Sequence, residues 1–269
     1  MELGMEGKVA LVTGGSRGIG KGIARGLALE GCDVAICSRD DAILKAAAEE
    51  LKAETGRDIA PFQADLMKTA DAEAMVEAAV AHFGRIDILV NNAGAAPGGV
   101  LEYLTDEHWE QAIGLKFMGY VRVTRAAIPH MRKAGKGRII NLIGNDGIKH
   151  SYWEIAPGAA NAAGQNFTMA IANQYAKENI TVVAVNPGPV RTERWDGLVA
   201  AMARDMDIPY EQADTLAPRS IPLGRIAEVE EVADIVTFLA SDRAHFINGT
   251  MIEVDGGQQK PLMDMFRDN

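Results

Sequence analysis

Cysteine is scarce in this chain, and the two cysteines present cannot pair with each other locally. Cys32 and Cys37 stand at either end of one apolar segment. On a strand, an odd separation points their side chains to opposite faces, too far apart for a disulfide. So little cysteine is typical of a reducing compartment. The opening residues, MELGMEGKVALVTGG, also lack the basic and then apolar pattern of a secretory leader, so we expect a cytoplasmic protein.

Long apolar runs and runs of positive charge are absent too. No stretch of about 18 apolar residues occurs, so the sequence predicts no membrane-spanning helix. The net charge is −10, from 37 acidic and 27 basic residues without any cluster of Lys or Arg. Nucleic-acid phosphates and anionic lipids bind surfaces of the opposite charge. We therefore expect neither nucleic acid nor a membrane as a partner.

Apolar segments alternate with helical patterns along the whole chain. Short apolar runs bounded by turn residues predict buried strands, and the segments between them carry apolar residues at helical spacing. This alternation predicts parallel strands joined by right-handed crossovers, with helices on both faces. We expect residues 1–269 to form a single α/β domain, a doubly wound parallel β-sheet (Rossmann fold). The predicted strands are 8–13, 33–38, 59–65, 86–94, 138–143, 180–188 and 251–257, and the predicted helices are 18–30, 40–55, 71–83, 106–133, 157–178 and 228–240.

One segment, at about 193–222, interrupts this alternation with helical character and no strand. An insertion of that size near the carboxyl end of a strand usually covers a site, so we expect a helical lid. Its larger apolar residues fall three or four apart on one helix face: Trp195, Leu198, Met202 and Met206. Two interpretations remain open, namely core packing and a pliable wall over an apolar or aromatic substrate.

A glycine-rich turn, TGGSRGIG, lies between the first predicted strand and the first predicted helix. Its glycines permit a tight turn, close approach of the backbone to a pyrophosphate, and close packing of helix on strand. The helix start adds free N–H groups and the positive end of the helix dipole. The turn predicts a dinucleotide site, and a purely structural turn is the alternative. The candidate contacts are Gly14, Ser16, Arg17, Gly18, Ile19 and Gly20.

The end of the second predicted strand favours NADP(H) over NAD(H). An acidic residue there would bind the ribose 2′-hydroxyl of NAD, but this chain has Ser38 and Arg39. Arg17 adds a second guanidinium group, and two such groups can hold a 2′-phosphate bidentately. The alternative is a solvated arginine at a strand end.

These motifs, in this order, resemble those of the short-chain dehydrogenase/reductase family, and in particular its β-ketoacyl carrier-protein reductases. TGGSRGIG is similar to the family's cofactor turn, ADL to its adenine contact, NNAG to its fourth-strand motif, NPGPVRT to its nicotinamide-side motif and VDGG to its last strand. The resemblance implies an oxidoreductase acting on a small carbonyl or alcohol substrate, assembled as a homodimer or homotetramer. The apolar face of the predicted lid favours an apolar or aromatic substrate. The further cofactor contacts that the resemblance implies are Asp65, Leu66, Asn92, Ala93, Gly94, Pro187, Gly188, Val190 and Thr192.

The same resemblance indicates that the usual catalytic residues are replaced. The family uses a tyrosine as proton donor, a lysine four residues later, a serine that holds the carbonyl oxygen, and an asparagine that supports a water relay. PGAANAA falls on the family's YxxxKAA pattern, which puts Pro157 and Asn161 at the tyrosine and lysine positions. Gly144 falls at the serine position and Lys116 at the asparagine position. Proline has no side-chain proton, and asparagine lacks the charge that lowers a phenol pKa.

Three interpretations follow from this replacement. The chain is an oxidoreductase with a relocated acid, a lyase or isomerase on the same scaffold, or a non-catalytic nucleotide-binding partner subunit. The candidate catalytic residues are Lys116, Asp146, Tyr152 and Asn161. Simpler roles stay open for three of them: Lys116 as a surface cation, Asp146 as a turn cap, and Tyr152 as an apolar wall. No metal site is predicted.

Overall fold

The computed structural model describes residues 2–261 and 263–265, and in this part of the chain seven parallel strands form one sheet. The strand order is β3-β2-β1-β4-β5-β6-β7, which confirms the doubly wound sheet. The strands are β1 (Val9–Thr13), β2 (Asp33–Ser38), β3 (Ile59–Gln63), β4 (Ile88–Asn91), β5 (Gly137–Leu142), β6 (Ile180–Pro187) and β7 (Met251–Val254).

Helices cover both faces of the sheet, as the alternating pattern predicts. They are α1 (Gly18–Leu29), α2 (Asp41–Thr55), α3 (Thr69–Phe83), α4 (Asp106–Gln111), α5 (Met118–Ala134), α6 (Ile155–Tyr175), α7 (Glu193–Met206), α8 (Tyr210–Leu216) and α9 (Val229–Ala240). Within the described residues, none of these helices is long and apolar enough to cross a bilayer.

The long helix predicted over 106–133 is divided in the structure, which corrects that expectation. A π-helical turn, Ala112–Phe117, separates α4 from α5. Arg122 anchors this turn, because its Nη1 donates to the carbonyl oxygen of Gly114 (2.8 Å) and to that of Leu66 (3.0 Å). Widened turns of this kind often occur at functional sites. Helical periodicity does not distinguish such a turn from an unbroken helix.

The two cysteines lie on opposite faces of the sheet, as predicted. Cys32 packs in the apolar cluster between the sheet and helices α1, α2 and α9, and Cys37 packs in the cluster on the other face. Both are free and buried. Burial raises the pKa of Cys32 to about 12 and that of Cys37 to about 11, so neither thiol is reactive at neutral pH.

The predicted lid is present as α7, α8 and a short 3₁₀ turn, Ala217–Ser220. Its apolar face forms a third cluster, in which Trp195 and Met202 are buried and Met206 packs at the edge. Trp153, from the segment before α6, is buried in the same cluster. The lid therefore has its own small core, which is joined to the sheet through the start of α6.

Candidate active site

The glycine-rich turn lies at the carboxyl ends of β1 and β4, where the strand order reverses and ligands bind in this architecture. Gly14 has φ +66° and Gly18 has φ +48°, a region that other residues adopt with strain. A Cβ added to Gly20 would lie 2.1 Å from the Gly14 carbonyl oxygen. The first turn of α1 carries amide groups without intrahelical acceptors. These residues therefore form a compact turn whose free amide groups and lack of side chains suit a pyrophosphate.

The NNAG segment after β4 holds this turn in place. The hydroxyl of Thr13 accepts hydrogen bonds from the amides of Asn92 (2.8 Å) and Ala93 (3.0 Å). The Asn92 side chain donates to the carbonyl oxygens of Thr13 (2.9 Å) and Gly14 (3.3 Å). Both loops at the strand reversal are therefore fixed without a ligand.

Two guanidinium groups are available near the carboxyl ends of β1 and β2. Arg17 is exposed and lies 3.5 Å from the carboxylate of exposed Glu193. Arg39 is exposed and its side chain forms no ion pair in the described part of the chain. Ser38 directs its hydroxyl to the carbonyl oxygen of Asp40 at 3.2 Å. No acidic side chain precedes Arg39 at the strand end, so the local charge suits a phosphate group.

The residues after β3 offer mainly backbone groups to a ligand. The Asp65 carboxylate accepts a hydrogen bond from the amide of Met67 (3.1 Å) and lies 3.9 Å from the Lys68 ammonium group. The Leu66 side chain is buried in the core, and its carbonyl oxygen binds Arg122. Leu66 can therefore meet a ligand at this edge only through its backbone, whereas the Asp65 carboxylate stays partly exposed.

The segment after β6 reaches back to the glycine-rich turn. Pro187 ends β6, and a Cβ on Gly188 would lie 2.7 Å from the Asp255 Cβ. Val190 is buried and pairs with Ala227 in an isolated bridge. The Thr192 methyl group is 3.3 Å from the position a Cβ would take at Gly18. The two predicted halves of the cofactor site are therefore adjacent in space.

Lys116 lies on the π-helical turn, with its aliphatic stem against the NNAG segment. A Cβ on Gly94 would lie 3.0 Å from the Lys116 Cγ. Burial lowers the pKa of Lys116, the Asp146 carboxylate opposes that change, and the Arg194 guanidinium adds to it. The ammonium group has no hydrogen bond or ion pair to any described residue. An unpaired, partly desolvated amine of this kind gives up its proton more readily than an exposed lysine does.

Asp146 and Asn161 occupy the space beside Gly144. The Asn161 amide group donates to the Asp146 carboxylate. A Cβ on Gly144 would lie 2.6 Å from the Asn161 Nδ2 and 2.8 Å from the Asp146 Oδ1, and Gly144 has φ +134°. A serine side chain at this position would therefore collide with the pair. The other amide atom, Asn161 Oδ1, is buried and has no hydrogen-bond partner among the described residues.

The remaining candidate residues are less central to this group. Pro157 is buried in the first turn of α6, where a proline without an N–H is well accommodated. Tyr152 lines an adjoining cavity and donates through its backbone amide to the Asp264 carboxylate (3.4 Å). The structure thus brings Lys116, Asp146 and Asn161 together and places Tyr152 on the cavity wall.

The cavity has a volume of about 1040 Å³ and lies between the lid and the loops after β4 and β5. The Trp153 ring forms part of its wall, and a Cβ on Gly98 would lie 2.2 Å from that ring. The Trp153 indole donates to Asp205 of the lid at 3.1 Å. The main residues that line the cavity are Gly98, Tyr103, Tyr152, Trp153, Met206 and Arg219. Apolar and aromatic side chains with a few polar groups are typical of small-molecule pockets.

Glu154 is a residue of this site that the sequence did not reveal. Burial, followed by the nearby Asp146 charge, raises the pKa of Glu154 to about 7, while Lys116 and Arg194 oppose the change. Arg194 spans from α7 to the loop after β4, where its Nη2 lies 3.4 Å from the Ala96 carbonyl oxygen. In the sequence, Glu154 is only an acid before a helix, a common arrangement without functional meaning.

Two curated reductases are similar to this chain in sequence. The chain is 38% identical to an acetoacetyl-CoA reductase of Shinella zoogloeoides over 256 residues, which cover 93% of this chain and 98% of the relative. It is 33% identical to a 3-oxoacyl-[acyl-carrier-protein] reductase of Chlamydia muridarum, with 93% of this chain and 96% of the relative covered.

Two similar solved structures contain NADPH. One is L-sorbose reductase from Gluconobacter frateurii with NADPH and L-sorbose, with a TM-score of 0.91, 33% identity, and 97% of this chain and 100% of that chain covered. The other is a variant actinorhodin polyketide ketoreductase with NADPH, with a TM-score of 0.91, 32% identity, and 94% and 97% covered. Residues 8–203 match the family model described as short chain dehydrogenase. The chain therefore belongs to the short-chain dehydrogenase family.

Proposed function

We propose that this protein is an NADP(H)-dependent oxidoreductase that interconverts a small carbonyl compound and its alcohol, with Lys116 in place of the usual tyrosine as the proton donor. When bound, the nicotinamide supplies or accepts the hydride. The residues described above fit the dinucleotide: Gly14, Gly18 and Gly20 leave room for the pyrophosphate, and two exposed arginines suit a 2′-phosphate. The NADPH complexes of the similar reductases support the same cofactor.

The observation that carries the proposal is the unpaired, partly desolvated amine of Lys116 beside Gly94. In the family pattern an asparagine stands at this position and a lysine at that of Asn161, so this chain exchanges the two residue types. The exchange keeps one lysine and one asparagine in the site. It moves the positive charge from α6 to the π-helical turn.

The proton chemistry follows from this placement. Reduction turns the carbonyl oxygen into an alkoxide, which must receive a proton. The Lys116 Nζ holds that proton, and partial burial weakens its hold, which favours transfer. The Asp146 carboxylate, fixed by the Asn161 amide, stabilises the ammonium form between turnovers. The cavity beside Trp153 and Tyr152 admits an apolar or aromatic substrate.

The first experiment compares the Lys116→Met and Lys116→Arg variants with a Lys45→Met control. Lys45 is exposed and pairs with Asp41 at 2.7 Å on a distant helix. NADPH binding is measured by fluorescence titration, and turnover of β-ketoacyl thioesters and aryl ketones by absorbance at 340 nm. We expect Lys116→Met to lower kcat by about 10²- to 10⁴-fold with little change in NADPH affinity. An unchanged kcat in that variant, or no NADPH binding by the wild-type protein, would contradict the proposal.

A second candidate function is elimination, retro-aldol cleavage or isomerisation on the same scaffold. The lowered pKa of Lys116 favours it, because an amine that gives up its proton more readily than usual is better able to serve as a base. In that case mass spectrometry shows loss of the substrate, while the NADPH absorbance at 340 nm stays constant. A nucleotide-binding subunit without catalysis is the third candidate. It would show NADPH binding without loss of any substrate.

We also propose that the protein is a homodimer or homotetramer. The helix α6 carries an exposed methionine, Met169, among small residues that permit close helix packing, and Phe246 is fully exposed. Light scattering after size exclusion chromatography tests this assembly. A monomer at micromolar concentration would contradict it.

A further inference from the structure

The cavity is larger than a small carbonyl compound requires. Its volume of about 1040 Å³ lies at the upper end of the range of about 300–1,000 Å³ that is usual for small-molecule pockets. Trp153 and Met263 are buried in the lid cluster and Met206 packs against it, so this part of the wall is apolar. Tyr103 lies at the rim, since it is 79% exposed. A substrate that fills this space carries a second group in addition to its carbonyl.

Three charged residues line the cavity in the described part of the chain, and two of them neutralise each other. The Arg204 Nε donates to the Asp205 carboxylate at 2.6 Å, and the other Asp205 oxygen accepts from the Trp153 indole at 3.1 Å. The third residue, Arg219, has no hydrogen bond or ion pair from its side chain to any described residue. The described lining therefore carries one uncompensated positive charge, although the chain as a whole has a net charge of −10.

The backbone at Arg219 is held in place, although the side chain is exposed. Arg219 lies in the 3₁₀ turn Ala217–Ser220, whose first and last residues are buried. The Ser220 hydroxyl donates to the Ala217 carbonyl oxygen at 3.1 Å and accepts from the Gln258 side chain at 3.2 Å. A ligand that binds the guanidinium group therefore has to order only one side chain, and not a loop.

Arg219 and the proposed proton donor belong to different sides of the cavity. Lys116 packs against Gly94, in the loop whose later residues Gly98 and Gly99 line the cavity. Arg219 belongs to the turn that follows the lid helices α7 and α8. A substrate held by one end at Arg219 is therefore free to present its carbonyl group toward the loop after β4.

We propose that the substrate is a keto acid and that Arg219 binds its carboxylate, an inference that rests on the reductase function proposed above. A guanidinium group holds a carboxylate through two parallel hydrogen bonds. One carboxylate balances the single uncompensated charge of the cavity, whereas a phosphate ester, with a charge of about −2 at neutral pH, would exceed it. The apolar wall accommodates an aryl or alkyl spacer between the two ends of the substrate.

The carboxylate takes no part in the chemistry of the reaction. In the direction of reduction, the carbonyl carbon accepts a hydride from NADPH and the carbonyl oxygen accepts a proton from Lys116. The product is the hydroxy acid, with its carboxylate unchanged. Arg219 is therefore a residue that determines specificity, and its loss should act on KM and leave kcat nearly unchanged.

The first test compares reduction of 4-acetylbenzoate with that of the neutral 4-acetylbenzamide at saturating NADPH. The variants are Arg219→Met, Arg219→Lys and the control Arg25→Met, which removes an exposed arginine paired with Glu54 at 2.7 Å. For the wild-type protein and the control we expect KM to be about tenfold lower for the acid than for the amide. Arg219→Met should raise KM for the acid about tenfold and leave KM for the amide unchanged, whereas Arg219→Lys should retain part of the preference.

Charge reversal gives a second test of the same contact. Arg219→Glu should reject 4-acetylbenzoate and lower KM for the cation 4-acetylbenzylamine, because the sign of the lining charge changes. Equal KM values for the acid and the amide in the wild-type protein, or an equal rise for both in Arg219→Met, would overturn the inference. A wild-type preference for 4-acetylphenyl phosphate over 4-acetylbenzoate would overturn the assignment of a carboxylate.

A measurement without turnover separates this inference from the proposed function. Calorimetric titration of the protein saturated with NADP⁺ gives the affinity for 4-acetylbenzoate directly, and we expect it to be about tenfold weaker in Arg219→Met and unchanged in Arg25→Met. Reduction of both ketones without any effect of Arg219 on binding would overturn the inference and leave the reductase function intact. Binding of the acid that depends on Arg219, in a protein that oxidises no NADPH with either ketone, would refute the reductase function while supporting an acid-binding cavity.

Discussion

Replacing Glu154 by Gln should change how the stability of the protein depends on pH. The pKa of Glu154 in the folded state is raised from its ordinary value of 4.5 to about 7, chiefly by burial and then by the Asp146 charge. A raised pKa means that the folded chain binds a proton that the unfolded chain has released. The contribution of the neutral carboxyl is therefore fully present below about 4.5 and is lost as the pH rises through about 7.

The magnitude follows from the same two values. The difference between 4.5 and about 7, at about 1.4 kcal/mol for each pH unit, corresponds to about 3 kcal/mol as an upper limit. Glu154 is only half-buried, and solvent reduces this to about 1–3 kcal/mol. Glutamine has no charge to desolvate. We therefore expect the difference in the free energy of unfolding between Glu154→Gln and wild type to increase by about 1–3 kcal/mol from pH 5 to pH 8, in favour of Glu154→Gln.

Urea unfolding of both proteins at pH 5, 6, 7 and 8, at one protein concentration, measures this difference. Glu102→Gln is the control, because it makes the same chemical change at an exposed carboxyl. Its stability difference from wild type should be independent of pH. A difference between Glu154→Gln and wild type that stays constant from pH 5 to pH 8 would refute the reasoning.

Three further predictions concern the cofactor groove and the replaced residues. Arg39→Asp should weaken NADPH binding by about 10- to 100-fold and NADH binding much less. An equal loss of affinity for the two cofactors in titrations would contradict the NADP preference. Gly20→Ala should abolish NADPH binding, because its Cβ would lie 2.1 Å from a backbone oxygen. If Gly20→Ala still showed fluorescence energy transfer from the protein to NADPH, the cofactor groove would have to lie elsewhere. In the Lys116→Met background, the added changes Pro157→Tyr and Asn161→Lys should not restore reduction by a tyrosine donor, because Gly144 has no hydroxyl to hold the substrate carbonyl. Rapid NADPH oxidation by this triple variant would contradict the prediction.

The order of strands and helices was predictable because it depends on local patterns. The strands 33–38 and 138–143 differ from the structure by no more than one residue at either end, since short apolar runs bounded by turn residues mark them clearly. The left-handed glycines Gly14 and Gly18 belong to a turn that few other residues can adopt. The lid was predictable for the same reason, because its helical pattern interrupts an otherwise regular alternation.

Prediction failed where a long helix changes its winding. The segment 106–133 has helical spacing throughout, but the π-helical turn Ala112–Phe117 interrupts it. One extra residue in a turn rotates Lys116 relative to the rest of the helix. Apolar periodicity averages over several turns, so it does not detect this local change.

The sequence by itself determined the sheet, its helical layers, the lid and the glycine-rich turn, because each depends on residues that are close together in the chain. Tertiary structure alone decided the chemistry of the candidate site. Gly94, Lys116, Asp146, Glu154 and Arg194 come from separate elements and meet only when the sheet and the lid are assembled. Burial and the charges of distant neighbours set the proton affinities of Lys116 and Glu154, and neither quantity is encoded in the residues that flank them.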